Sequence, residues 1–469
     1  MAMTAGRVWH NAIRPALLPG ILIVTLCLAP LPLGSVNPIA IAVWVLLLGL
    51  ALIIGDFSQL QRRCDQAFIA AIGLIAIGYA FVAREQLSSA PLLGLMHPIW
   101  GQASSALQAA LVPSVEVVRN QAWYGLGSTL MCLLALVTGY VAGCDRRMAS
   151  GVLRAILLSG GVYAVIAILS FVIDPSIVLG YEKVAHTANL TTPFLNRNTA
   201  AIYFGACAIV AVAALIDRQE RPESWFRTMR AFISGEGRFG LPDRRETEAL
   251  VAAAFCLVAL LLTSSRAGVV LALGGLVLAC ALIRRRRSAP GHFALYLLGG
   301  GTAALLLLQT VGSGVSDRFE QFGLTDTGRF DTYRASASMI AASPGFGTGI
   351  GTFMSAFPPF RLSEASMWGI WDRAHNTLLE IATDAGLPLA LLVLVAWLVA
   401  LGVLIRGVLR RRRDRVYPVG ALAVAVAALA HSMVDFPLQI PGFAVVAMAL
   451  TGVGLAQSFS FEQAINVDG

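Results

Sequence analysis

Twelve apolar stretches of helix length recur along this chain, at 16–34, 37–55, 67–83, 123–143, 153–173, 199–216, 248–265, 267–283, 292–312, 387–407, 416–434 and 440–457. A bilayer's hydrocarbon core, about 30 Å thick, takes roughly 20 apolar residues in an α-helix to cross. Inside it every backbone N–H and C=O must be satisfied within the segment, which leaves the helix as the structure for stretches of this length. Of 469 residues 57% are hydrophobic and only 13% charged, and the mean hydropathy is +0.75. Length alone would suggest two or three soluble domains, but no soluble core could bury this much apolar surface. The fold expected is an all-α polytopic membrane protein with about 12 transmembrane helices. The first stretch is too long for a signal peptide and lacks a small-residue cleavage site before the second begins, so it reads as a retained span.

Orientation follows from the basic residues, which are retained in cytoplasmic loops. Alternating the twelve spans from an inside N-terminus puts most of the 34 Lys and Arg on the inner side, while the 26 acids divide evenly. Both termini are then cytoplasmic. A pI near 9.4 can signal nucleic-acid binding. Here, however, the runs Arg284 to Arg287 and Arg410 to Arg413 directly follow spans and carry no interleaved aromatics. They read as topology anchors in contact with membrane lipid, with no nucleic-acid partner. The seven cysteines show no CxxC or Cys/His metal spacing, and none falls in an outer loop; reduced, structural thiols are expected.

The water-exposed mass is largest outside, at 86–122, 174–198 and 313–374, whereas the one sizeable inner loop, 217–247, reads as a linker. Within the last outer loop, 329–342 reads as a helix with Arg329 and Tyr333 on one side. The following SPGFGTGIGTF is neither GxxxxGK[ST] nor GxGxxG, and it faces away from cytoplasmic nucleotide. It reads as a tight turn returning the chain to the membrane. In AHNTLLEIATDAGLP, Asn376, Glu380 and Asp384 fall at i,i+4 steps of a short interfacial helix ended by Gly386 and Pro388. His375 stands at its N-terminus and reads either as a cap or as a proton acceptor. Arg266, in LLTSSRAGVV between two spans, is either an end anchor or a functional cation beside two serine hydroxyls. Arg266, Arg329 and His375 together gather positive groups at one water interface, a place to hold an anion.

TSSRAG at 263–268, GRFDTYRASASMIAASPGFGTGIGTF at 328–353, RAHNTLLEIATDAGLP at 373–388 and HSMVDFPLQIPG at 431–442 resemble the successive signatures of the O-antigen ligase and polymerase family of bacterial envelope glycosyltransferases. PFLNRNTAAIYF at 193–204 is similar to that family's outer Asn-containing motif. The resemblance covers about 190–457, including the loop 313–374. It leaves 1–189 as N-terminal transmembrane helices that share only hydropathy, and 458–469 as a cytoplasmic tail. The fold it implies is GT-C-like, with one large periplasmic loop containing short helices.

The resemblance implies transfer of a glycan from undecaprenyl diphosphate to an acceptor hydroxyl at the periplasmic face of the bacterial inner membrane, with no metal, nucleotide or other cofactor. It assigns Arg266 and Arg329 to the donor diphosphate and His375 to catalysis. Tyr333 stands where the family often has Trp and keeps an aromatic wall. The chemistry agrees: fixed cations stabilise the charge that develops on a diphosphate leaving group, and arginine binds phosphate bidentately. No DxD occurs in the outer loops to hold a metal instead. An inverting displacement with His375 as base is the mechanism expected, the alternative being His375 as a phosphate-binding cation. Asn196, Arg197 and Asn198 could bind sugar or phosphate, Asn376 is a supporting position, and Arg334, Arg361 and Arg373 could extend the basic surface. Glu380 is placed to orient a cation, and His431 and Asp435 form an i,i+4 pair that reads as either a supporting pair or an interfacial cap. The acceptor is lipid A core for a ligase or a second lipid-linked glycan for a polymerase. The lean outer loop and the absence of a C-terminal soluble domain favour the ligase. A transporter, the competing class, would carry ionisable residues near span centres, and none stands there.

Overall fold

The computed structural model describes residues 14–219, 229, 233–235, 242–284, 327–362, 371–411 and 413–459. The predicted ninth span at 292–312, the loop start 313–326, most of the inner loop and the tail beyond 459 lie outside them. Each of the other eleven apolar stretches falls on a helix: α1 (Arg14–Leu28), α2 (Pro38–Ile54), α3 (Arg63–Leu87), α5 (Gln121–Cys144), α6 (Arg146–Ile173), α7 (Arg197–Gln219), α8 (Arg244–Leu262), α9 (Arg266–Arg284), α13 (Leu387–Arg410), α14 (Val416–Ser432) and α15 (Pro441–Phe459). Seven of these are long and apolar enough to cross a membrane by length and composition, and α1, α2 and α14 are shorter apolar helices. The remaining helices, α4 (Ile99–Leu107), α10 (Thr327–Ala342), α11 (Phe353–Ala356) and α12 (Thr377–Ala385), join the spans, with a two-residue hairpin β1–β2 (Ile177–Val178, Tyr181–Glu182) after α6. The chain is a polytopic, all-helical membrane protein.

Burial orders the bundle. The apolar window of α7 is 89% buried, against 17% for α3 and for α13, so α7 is central and the other two are peripheral. Outward residues such as Leu46, Ile53, Ile77 and Val172 are exposed and apolar, as a lipid-facing surface requires. Between spans there is no water to expel, so close packing sets the contacts. Helices α5 and α15 cross where Gly139 leaves no room for a side chain: a Cβ there would lie 2.3 Å from Ala449 O. All seven cysteines are free thiols.

Two arginines at the α13–α14 turn have work beyond marking topology. Arg415 is buried and donates to the carbonyls of Ile283 (2.8 Å) and Leu282 (2.7 Å) at the end of α9, placing positive charge on a helix C-terminus. Arg411 bonds to Gln457 O at the end of α15.

Candidate active site

Five segments far apart in sequence meet at one end of the bundle: the start of α7, the α8–α9 turn, α10, the loop before α12 and the turn after α14. Asp435 joins them. Helix α14 ends at Ser432, and the Asp435 N–H continues its ladder by one bond to His431 O (2.9 Å) before Pro437 stops it. The side chain, 2% exposed, then points across the bundle end. Oδ1 accepts the Phe436 N–H (2.8 Å) and lies 3.6 Å from His375 Nδ1, within ion-pair reach but longer than a hydrogen bond. Oδ2 lies 3.7 Å from the Arg329 guanidinium and accepts the Asn198 amide N–H.

The link runs on through Asn198. Its Oδ1 accepts from Ser265 Oγ (2.7 Å), and that same hydroxyl accepts the Gly268 N–H (3.2 Å), capping α9. Arg266, the first residue of α9, thus leaves the bundle end one residue beyond this chain of bonds. Asn196 is a backbone cap: its Oδ1 takes the Asn198 N–H at 2.7 Å at the start of α7.

His375 is held by its backbone. Its φ of 52° is in the left-handed region, uncommon for a residue other than glycine, and Asn376 then returns to extended geometry and accepts the Leu378 and Leu379 N–H groups (both 3.1 Å) as the α12 N-cap. Tyr333 OH reaches His375 O (3.0 Å) and Met433 O (3.2 Å), and the Asn376 amide donates to the same Met433 O (3.2 Å). Tyr333 is therefore a strut between α10 and the histidine loop. Trp371 and Phe436 stand edge-on to the imidazole, with centroids at 5.9 and 5.1 Å. Glu380 pairs with Arg373 (2.9 Å) and accepts the Ala374 N–H (2.8 Å), fixing the segment that presents His375.

The electrostatics centre on Asp435. Burial pushes its carboxyl up, but the His375 ring, His431 and the Arg329 charge outweigh burial and bring it down to about 2, so it stays ionised. Asp384, at the far end of α12, goes the other way: burial and the Glu380 charge raise it well above the usual carboxylate range, against the pull of the Gly351 N–H and Arg373. Two carboxylates near one site are thus shifted in opposite directions. His431 is fully buried, and neither ring nitrogen has a hydrogen-bond partner among the described residues. Arg197 donates to Asn189 Oδ1 (3.2 Å), Arg334 lies 3.8 Å from Asp331 and Arg361 follows the turn at 358–360.

The glycine-rich segment does not simply turn the chain back to the membrane, which resumes only at Leu387. Its N–H groups are committed inside the protein: Thr348 and Gly349 to Thr383 O (2.8 Å) and Asp384 O (3.0 Å), Ile350 to Gln86 Oε1 (3.0 Å), Gly351 to Asp384 Oδ2 (2.8 Å). A phosphate cradle needs those donors free; here they clamp the loop onto α12. Gly347, at φ 67°, lies so close that a Cβ would meet Thr383 O at 2.5 Å. Two features escaped the sequence reading. The pairing of His431 with Asp435 along one helix hid that the carboxylate faces His375 and Arg329, although HSMVDFP marks a helix end by its proline. Gln86 has no local signal, because its partners lie about 260 residues or more away.

None of the curated proteins matches the chain. Residues 251–394, which run from within α8 into α13 and carry Arg266, Arg329, Tyr333 and His375, match the family described as O-antigen ligase, and this match supports the resemblance of the chain's motifs to the O-antigen ligase and polymerase family.

Proposed function

We propose that the chain is a metal-independent, inverting glycosyltransferase that moves a glycan from undecaprenyl diphosphate to an acceptor hydroxyl at the periplasmic face of the inner membrane, in the manner of an O-antigen ligase. The observation that carries this reading is the Asp435 cluster, in which an ionised, buried carboxylate faces both a histidine and an arginine of the family-matched segment. Asp435 on the Nδ1 side leaves Nε2 of His375 to take the acceptor hydroxyl proton, and the carboxylate stabilises the imidazolium that forms. The oxygen attacks the anomeric carbon, the bond to the diphosphate breaks, and Arg329 and Arg266 bind the departing diphosphate. Asn198 and Ser265 tie the Asp435 side to the start of α9, which fixes the spacing between base and cations. Ligases and polymerases share this donor chemistry, so the acceptor, lipid A core or a second lipid-linked glycan, is chosen elsewhere on the surface.

The test is transfer by the purified chain in detergent, with undecaprenyl-diphosphate glycan, EDTA, and either acceptor, and with His375→Ala and Arg329→Ala as controls. A lipid A product made only by wild type supports the ligase, and a lengthened lipid-linked chain supports the polymerase. Full activity in either variant refutes the roles assigned. Binding of the donor with no product from either acceptor would favour a transporter.

A further inference from the structure

At the opposite end of the bundle lies a cavity of about 740 Å³ that the candidate active site does not use. Its walls come from the starts of α6, α8 and α14 and the end of α7. Asn198 and Arg218 mark the two ends of α7, and their separation of twenty residues is about 30 Å, one membrane thickness. The arginine bias of the sequence assigns this end to the cytoplasmic leaflet.

The cavity is built for an anion. Three helix N-termini converge on it, each the positive end of a helix dipole, and five arginines line it. The acids on its wall are already engaged. Glu248 takes Arg154 through both oxygens (2.8 and 2.6 Å), Asp414 takes Arg146 (2.6 Å), Asp145 caps α6 through the Met148 N–H (2.9 Å), and Asp217 also has a partner. Arg147 and Arg245 are exposed, and their guanidinium groups make no ion pair or hydrogen bond among the described residues. The floor is apolar: buried Leu153 and Leu157 extend it along α6 toward the membrane interior. A charged rim over an apolar floor, in a space of ligand-pocket size, fits an amphiphile better than a small ion.

We propose that this cavity binds the phosphodiester headgroup of an anionic phospholipid, with Arg147 and Arg245 on the phosphate and the first acyl carbons on Leu153 and Leu157. Basic pockets between transmembrane helices on the cytoplasmic side are suited to such headgroups. The site tethers the inner ends of four helices and is independent of the transfer reaction.

Native mass spectrometry and thermal melts of the full chain in detergent test this, with phosphatidylglycerol, phosphatidylethanolamine or inorganic phosphate added. Phosphatidylglycerol is expected to stay bound and to raise the melting temperature, and the other two are not. Arg147→Gln with Arg245→Gln should weaken its retention roughly tenfold or more, while the paired Lys substitutions keep most of it. Raising salt should loosen it in wild type, a readout that needs no variant. Equal retention of both lipids, indifference to salt, or unchanged binding by the Gln variant would overturn the proposal. Equal protection by inorganic phosphate would assign the cavity to a free anion and overturn the lipid.

Discussion

His375 has a left-handed backbone, φ 52°, that asparagine also adopts readily. His375→Asn therefore removes the imidazole with little demand on the loop. The variant should insert and elute like wild type while transfer falls by roughly 10²–10⁴-fold; a wild-type rate would strip the ring of its role as base. The two buried carboxylates give a paired test with opposite signs. Asp435 has its acidity shifted below the free value of 3.8, so its contribution to stability is full above about pH 4 and fades as pH falls toward 2. Melts of Asp435→Asn should lie below wild type at neutral pH, with the gap closing over that acid window. Asp384 is shifted upward, so its contribution is present below the unfolded value and lost as pH rises through the folded one. Asp384→Asn keeps an acceptor for the Gly351 N–H and should match wild type in acid and exceed it as pH rises. At this scale His375, Arg329 and Arg266 stand in recognisable short motifs. The centrality of Asp435 does not, because it depends on where a helix end points.

Among elements, α12 was legible from its i,i+4 carboxylates and its glycine-proline stop, and α10 from its spacing. The partner of the glycine-rich loop was not. Alternating glycines say that a backbone comes close to something, and only the fold says that it is the Thr383 and Asp384 carbonyls at the end of α12. That contact joins the loop to the helix whose N-cap follows His375, so a change in the loop should be felt at the ring. Gly347→Ala adds a methyl where Thr383 O stands at 2.5 Å, on a residue with φ 67°. A cost of about 1–3 kcal/mol is expected from strain and overpacking, seen as a lower melting temperature together with reduced transfer. Loss of stability with transfer intact would show that α12 can shift without moving His375.

For the molecule as a whole, the spans among the described residues were legible because the bilayer imposes length and apolarity on each of them separately. Their neighbours were not, since contacts between spans rest on small residues such as Gly139 against Ala449 and leave no hydrophobic pattern to read. The same limit applies to the first 189 residues, which carry none of the family's motifs and yet reach the candidate site. Gln86, at the end of the peripheral helix α3, donates to Phe346 O (2.6 Å) and Asp384 O (2.8 Å) and accepts the Ile350 N–H (3.0 Å). One fully buried amide thus holds the glycine-rich loop and α12 together from outside the matched segment. Gln86→Ala strands the Phe346 carbonyl and the Ile350 N–H away from water, while Asp384 O keeps the Gly349 N–H, and each stranded group costs about 1–3 kcal/mol at most. The variant should melt lower than wild type and transfer more slowly, with donor binding at Arg266 and Arg329 less affected, because the clamp acts on the histidine side. If rate and melting temperature both stay unchanged, the N-terminal helices surround the site without setting its geometry.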